Sequence, residues 1–437
     1  MSSKVSSAAV HIKTKTAVIN PSVVTQQPTP RRFSWTKTFT ALKYPNYRLW
    51  FWGQMFSLMG TWMQTTAQGY LIYELTKSPV LLGVVGFAAG LPFWLFNFVG
   101  GVITDRMPRR TLLLITQTTM MLLAFTLGAL IFSGLIQPWH IVLLAFGTGI
   151  ANAFEAPTRM AFMPELVDEK EDYANAIALN STFVNLAAVV GPASAGLIYA
   201  WVGPGWCFMI NGLSFIAVII ALLLMKLKPF LSKQPSSSMI MQLKDGFRYV
   251  VNHPTIRVLI IMVMVTSIFG HSYLTLLPAW VVNILGGDSR LNGLMQSFRG
   301  AGALLVALMI ASLGRIKFKG KLLTLGSYVF PLMVIIWSFI RSIPLSLIIM
   351  AFSGWGFILL LNMFITLIQM NVPDELRGRV MGIYTFAFFG MMPIGALLGG
   401  LLAGWLGEPA SVFIGGMVSL IMAVVVYFFF PRVREME

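Results

Sequence analysis

A glutamate and an arginine four residues apart, Glu155 and Arg159, interrupt a long apolar stretch of this chain. On a helix that spacing puts the two side chains on one face, where they can pair. A carboxylate in apolar surroundings is costly and therefore suggests chemistry: it can carry a proton from one side of a barrier to the other, or be held ionised by its neighbour as part of a gate. Arg299 is a second charge deep in an apolar run, flanked by Gln296, Gly300 and Gly302; it suits an anionic ligand or a polar group inside a helical bundle. His271 lies in another such run and could titrate near neutral pH or simply hydrogen-bond. Asp105, Arg106, Arg109 and Arg110 form a dense charged cluster just after an apolar segment. There, the acid can pair with basic residues or with the positive end of a neighbouring helix.

Covalent catalysis and metal chemistry find no support. The histidines at 11, 140, 253 and 271 are scattered, and no metal-ligand spacing or phosphate-binding glycine loop followed by Lys-Ser/Thr occurs. Cys207 is the single cysteine, which rules out an intrachain disulfide. The chain is therefore read as no enzyme, with no cofactor, no metal and no coupling to ATP of its own.

The elements that must position these residues are membrane helices. Hydrophobic residues make up 57% of the 437 and charged ones 11%, against roughly a quarter charged in soluble domains. Apolar stretches fall at about 49–73, 79–103, 111–135, 139–163, 174–201, 205–225, 257–284, 291–313, 322–340, 344–370, 379–404 and 410–430. Each has the length of a membrane crossing and must be helical, because unpaired backbone groups are too costly in hydrocarbon. Sorting the 31 Lys and Arg among the intervening loops puts 27 on one side and 3 on the other, with Arg299 inside a span. Basic loops stay in the cytoplasm, so both termini are expected there and the bilayer is the main partner. The +16 charge is thereby explained without nucleic acid.

The longest polar connection, 227–254, separates six spans from six. Within it Ile240, Leu243, Phe247 and Val251 share one helical face opposite Lys244 and Arg248, the pattern of a helix lying on the membrane surface. The expected organisation is a mobile cytoplasmic tail over 1–44, a six-helix bundle over 45–226, the linker over 227–254, a second bundle over 255–431 and a short tail over 432–437. The halves echo one another: Gly60, Gly83 and Gly90 recur 210 residues later as Gly270, Gly293 and Gly300. Pro164-Glu165-Leu166 and Pro373-Asp374-Glu375-Leu376 likewise precede the fifth and eleventh stretches. Parallel repeats around a midplane site are a transporter architecture.

The loop Gly101-Val-Ile-Thr-Asp105-Arg106-Met-Pro108-Arg109-Arg110 resembles the signature of the major facilitator superfamily, with Pro108 where glycine is usual. The resemblance runs from Asn46-Tyr47-Arg48-Leu49 to the end of the last stretch. Pro157-Thr-Arg159, Asn175-Ala-Ile-Ala-Leu-Asn180-Ser181 and Pro373-Asp-Glu375-Leu-Arg377-Gly378-Arg379 are similar to the bacterial branch that contains the enterobactin exporter and drug-efflux proteins.

The resemblance implies an all-α membrane protein of twelve transmembrane helices in two six-helix pseudo-repeats. It implies a multi-pass bacterial inner-membrane exporter, a monomer, that moves small amphipathic organic molecules in exchange for protons by alternating access. A siderophore or lipid-linked exporter, or a non-transporting sensor or scaffold, is the alternative. It further implies that Gly101, Asp105, Arg106, Arg109 and Arg110 latch against Arg377 and Arg379 on the cytoplasmic side. Glu155 and Arg159 are then coupling or gate residues. Gln54, Trp62, Gln64, Asn152, Trp355 and Asn362 would line the cavity together with His271, Tyr273 and Arg299. Gly191, Pro192 and Gly196 match part of an antiporter motif, although physically small residues and a proline first of all let helices approach and bend.

Overall fold

A computed structural model describes residues 39–227, 239–312 and 318–436. Most of the expected 1–44 tail, the Pro229 and Gln234-Pro235 part of the linker, and Arg315 and Lys317 lie outside these residues.

Before the linker come α1 (Pro45–Thr76), α2 (Pro79–Arg106), α3 (Arg109–Phe132), α4 (Pro138–Phe162), α5 (Lys170–Val202) and α6 (Pro204–Leu224). The linker carries α7 (Met239–Asn252). After it come α8 (Pro254–Asn283), α9 (Ser289–Ser312), α10 (Lys319–Phe339), α11 (Ile343–Asn371), α12 (Asp374–Leu406) and α13 (Glu408–Phe429). Proline opens α1, α2, α4, α6 and α8, where its missing N–H costs nothing and its fixed φ suits the first helical turn. The α5–α6 and α12–α13 turns pivot on Gly203 and Gly407, with φ of 92° and 84° that a side chain would strain. These are corresponding corners of the two halves.

Eleven of the helices are long and apolar enough to cross a membrane. The twelfth, α1, is 32 residues long but more polar. Its Gln54, Ser57, Gln64 and Thr66 are buried, so the polarity faces protein and not lipid. Large apolar side chains turned outward, such as Leu122, Leu143, Leu305 and Phe428, fit a lipid-facing surface.

Two membrane helices depart from the uninterrupted spans expected. In α8 the α-helix ends at Val265 and passes through a π-helical turn, Thr266–Gly270, and a 3-10 turn, Ser272–Leu274, before resuming at Leu277. In α12 a second π-helical turn spans Phe386–Gly390. The two turns pack together in mid-membrane. Such turns free backbone groups and redirect side chains, and they gather at functional sites.

The glycine echo has a structural counterpart. A Cβ on Gly60 would lie 2.4 Å from Asn211 of α6, and one on Gly270 would lie 2.7 Å from Phe330 and 3.2 Å from Ser419 of α13. A Cβ on Gly83 would meet the Ala396 carbonyl of α12 at 2.6 Å, and one on Gly293 the Pro192 carbonyl of α5 at 2.2 Å. Gly90 faces Pro393 as Gly300 faces the Ala188 carbonyl. Gly60 and Gly270 thus meet the last helix of their own half, whereas the other two pairs make corresponding contacts between the halves.

Candidate substrate and coupling site

Two seams join the halves, α2 with α12 and α5 with α9. Both are built from small residues: Gly83 against Gly400, Gly90 against Pro393, Gly293 against Pro192 and Gly196, and Gly300 against Ala188. Ser297 adds a hydrogen bond of 2.7 Å to the Val189 carbonyl, and Thr66 donates to Gln296 across the centre at 3.2 Å. Both seams occupy the membrane half that carries few cations. The first runs as far as Trp94, whose indole N–H donates to the Gly390 carbonyl at 2.6 Å, and the second as far as Gly300. Towards the cation-rich side, Gly378 and Gly382 face open space, and Ser181 and Thr182 of α5 are exposed. The two halves are thus joined on one side and parted on the other.

In α4, Glu155 is 7% exposed and its Oε1 lies 3.1 Å from Arg159 Nε. Pro157 sits between them in the helix. The next residue, Thr158, is fully buried, and its hydroxyl meets that of Thr104 at 2.8 Å. This bond fastens the end of α2, and with it the Asp105 loop, to α4.

The expected latch residues are not brought together in this conformation. Asp105 and Arg106 are exposed, and among the described residues no ion pair joins Asp105 to Arg377 or Arg379. Arg109 pairs with Glu165 in the α4–α5 connection. Arg110 donates to the carbonyls of Leu223 and Met225 at 2.7 and 3.3 Å, where a cation suits the negative end of α6. Arg377 pairs with Asp374 and donates to the Gln369 carbonyl. Arg379 is bound to Asp245 of α7 at 2.8 Å, beside a hydrogen bond from Tyr249 to the Asn371 carbonyl. The surface helix is therefore fastened to the start of α12, and Gly101 remains in α2 ahead of the Asp105 cluster. Asp245→Asn would remove a partly exposed ion pair worth about 0.2–1 kcal/mol. Deuterium uptake over 239–252 is expected to rise by roughly 1.4- to fivefold. Unchanged uptake would show that the pair does not hold the helix.

The cavity candidates separate into two groups. Gln64 accepts a hydrogen bond of 2.6 Å from Asn211 and so joins α1 to α6, while Gln54 is 3% exposed within the first half. Trp62 packs against Gly191, and Pro192 and Gly196 meet α9, so the small-residue motif of α5 lies at helix contacts. Asn152 is exposed on α4, Trp355 packs on the core of the second half, and Asn362 donates to the Ile358 carbonyl of its own helix. The other group converges just after the π-helical turn of α8. Tyr273 is 2% exposed and shares a hydrogen bond of 3.2 Å with Ser353. The His271 ring lies 5.1 Å from Phe357, which lies 5.1 Å from Phe330. Arg299 is near enough to His271 and Tyr273 to act on both through space. Its backbone carbonyl and Cγ lie against Gly354 of α11.

Sequence reasoning missed the Asp245, Glu165, Ser353 and Thr104 partners. It also missed a polar group near the opposite membrane surface, where Tyr199 donates to Glu74 and Asn283 donates to Glu408 at 2.7 Å. The proline-glutamate pair at 164–165 was a usable signal for Arg109; the others carry none in sequence. The residues around Asn46 and Asn175 form a staple: Tyr47 donates to the Ala176 carbonyl at 2.9 Å and Lys43 reaches Asp172 at 2.7 Å. Hydrogen bonding to Asp172 raises the Lys43 ammonium above its ordinary pKa, with Tyr44 and Glu169 adding to the effect.

Twelve helices in two repeats, parted on one side around inward charges, define a membrane transporter of the major facilitator superfamily. The sequence profile of the transmembrane secretion effector family matches residues 36–437, and the chain belongs to that family. It is 27% identical to a staphyloferrin A transporter of Staphylococcus aureus, over 85% of this chain and 92% of that protein. It is 24% identical to the multidrug efflux pump Tap of Mycolicibacterium fortuitum, over 86% and 94%, and 25% identical to the enterobactin exporter EntS of Shigella boydii, over 92% and 96%. Among solved structures, a bacterial homologue of the human lysosomal transporter Spinster superposes with a TM-score of 0.67 at 14% identity, over 90% of this chain and 98% of that one. The nucleoside transporter NupG superposes with 0.65 at 14% identity, over 89% and 99%.

Proposed function

We propose that this transporter is a proton-coupled exporter of small amphipathic organic molecules in the bacterial inner membrane. It works as a monomer with both termini in the cytoplasm, and its two halves rock about the seams by alternating access. The observation that carries this reading is the one-sided closure, with Glu155–Arg159 in one half and Arg299 in the other. Charges are expensive at that depth and mark transport pathways. The parted side is the cation-rich side, which topology rules place in the cytoplasm, so the site is loaded from within. The functions of the relatives, an efflux pump and an exporter among them, support outward movement. Asp105, Arg377 and Arg379 would then meet only when the cytoplasmic side closes.

The test is substrate-dependent proton flux in proteoliposomes, with the wild type compared with Glu155→Gln. Coupled flux in the wild type, lost in the variant, is the expected result. Flux that persists unchanged in Glu155→Gln would remove Glu155 as the proton carrier. Absence of any flux across a broad compound panel would count against transport.

A further inference from the structure

We propose that Arg299 is the anion-recognising residue of the transport site, and that the preferred substrate is an amphipathic organic anion with an aromatic or apolar body. The proposal rests on the transport reading above and names the substrate class of that same site.

The charges within the helices differ in their partners. Glu155 has Arg159, and Glu408 has Asn283. Arg299 has no such partner: it takes part in no ion pair among the described residues. Leaving one member of a buried ion pair without its partner is strongly destabilising. A cation kept without a fixed partner at this depth therefore implies a partner that arrives and leaves. Its position supports this. Arg299 lies three residues from Gln296 and seven from Asn292, on the helical face that also meets Thr66 of the first half. The neighbouring seam ends at Gly300, one residue further along.

Two further features set the ligand chemistry. The side chain is held at its base, because Cγ and the backbone carbonyl rest against Gly354. Its planar fork matches a carboxylate with two parallel hydrogen bonds. Within electrostatic reach is His271, whose Nδ1 is buried without a partner and whose ring packs on Phe357, which in turn lies against Phe330. Apolar walls with a few polar handles suit an organic body carrying the anion. A cationic substrate would meet repulsion from Arg299 with no carboxylate among these neighbours to offset it.

Three isosteric probes test this: 2-naphthoate, the neutral 2-naphthamide and the cationic 2-naphthylmethylammonium. Binding to the full chain in nanodiscs is read by ligand-dependent thermal shift and equilibrium dialysis. The wild type is expected to bind the anion at least roughly tenfold more tightly than the amide, a difference of about 1.4 kcal/mol. Arg299→Gln is expected to bring the two affinities together without lowering the ligand-free unfolding temperature by more than a few degrees. Arg299→Lys should keep part of the preference, as a point charge without the fork. Equal binding of all three probes by the wild type, a preference that persists in Arg299→Gln, or no saturable binding at millimolar concentration would each overturn the proposal. If proteoliposomes pump the ammonium or amide probe as well as the anion, the transport reading stands and the anion assignment falls.

Discussion

Gly293→Leu is expected to reduce transport by up to about 100-fold while the protein still folds, because closure of one membrane face depends on the space this glycine leaves. A Cβ there would lie 2.2 Å from the Pro192 carbonyl and 3.0 Å from the Gly196 nitrogen. Neither is the end of a flexible side chain, so the helices must separate. Overpacking of a close contact costs roughly 1–3 kcal/mol, and here the cost falls on the sealed conformation alone. A shift of about 3 kcal/mol changes the ratio of two conformations roughly 100-fold. The series Gly293→Ala, Val and Leu should therefore show graded loss of flux. Cys207 is the sole cysteine and is buried, so Cys207→Ala supplies a background for labelling. In that background Ser297→Cys, at a position 6% exposed in the seam, should react with an impermeant thiol reagent from outside at least roughly tenfold faster when Gly293→Leu is added. Unaltered labelling and flux would mean that this seam is no barrier.

Arg159→Ala is expected to be more destabilising than the double replacement Glu155→Gln/Arg159→Ala. The single change strands a carboxylate that is 7% exposed; the double change removes both charges. Leaving one charge of a buried pair costs about 3–5 kcal/mol, and the 23% exposure of the Arg159 side chain points to the lower end of that range. The double variant should recover most of the lost unfolding temperature and none of the proton-driven flux. The unfolding midpoints of the two single variants and the double variant form a cycle whose coupling isolates the pair. A double variant as unstable as the sum of its singles would show that the contact contributes nothing and that Glu155 is held by other groups.

These predictions draw unequally on sequence and structure. The Glu155–Arg159 contact was legible because it is local: four residues along a helix set the geometry, and the surroundings add only burial. The Gly293 contact was half legible, since the repeat at 83 and 293 singled out the position but not the helix it faces. Gln64 shows the reverse. A buried polar residue on α1 is equally compatible with a cavity and with a neighbour, and only the packing of α6 makes it a partner of Asn211. The latch illustrates the same difficulty: the sequence put Asp105 in prospect for Arg379, and only the packing of α7 shows that its partner here is Asp245. The π-helical turns had no compositional mark, because a shifted hydrogen-bond register asks for no special residue.

The sequence by itself determined the class of solvent, the number of long apolar stretches, their expected direction and the pairing of two halves. Hydrophobicity, loop charge and repeat spacing act residue by residue along the chain, so they need no knowledge of which helix stands beside which. Only the tertiary structure decided that the halves meet through glycine seams on one face, that Asp245 holds Arg379, and that Arg299, near His271 and Tyr273, has no carboxylate partner among the described residues. Those outcomes depend on the rotation and approach of helices far apart in sequence. A few ångströms at a Cβ or a guanidinium separate contact from open space, and no one-dimensional pattern carries that distance.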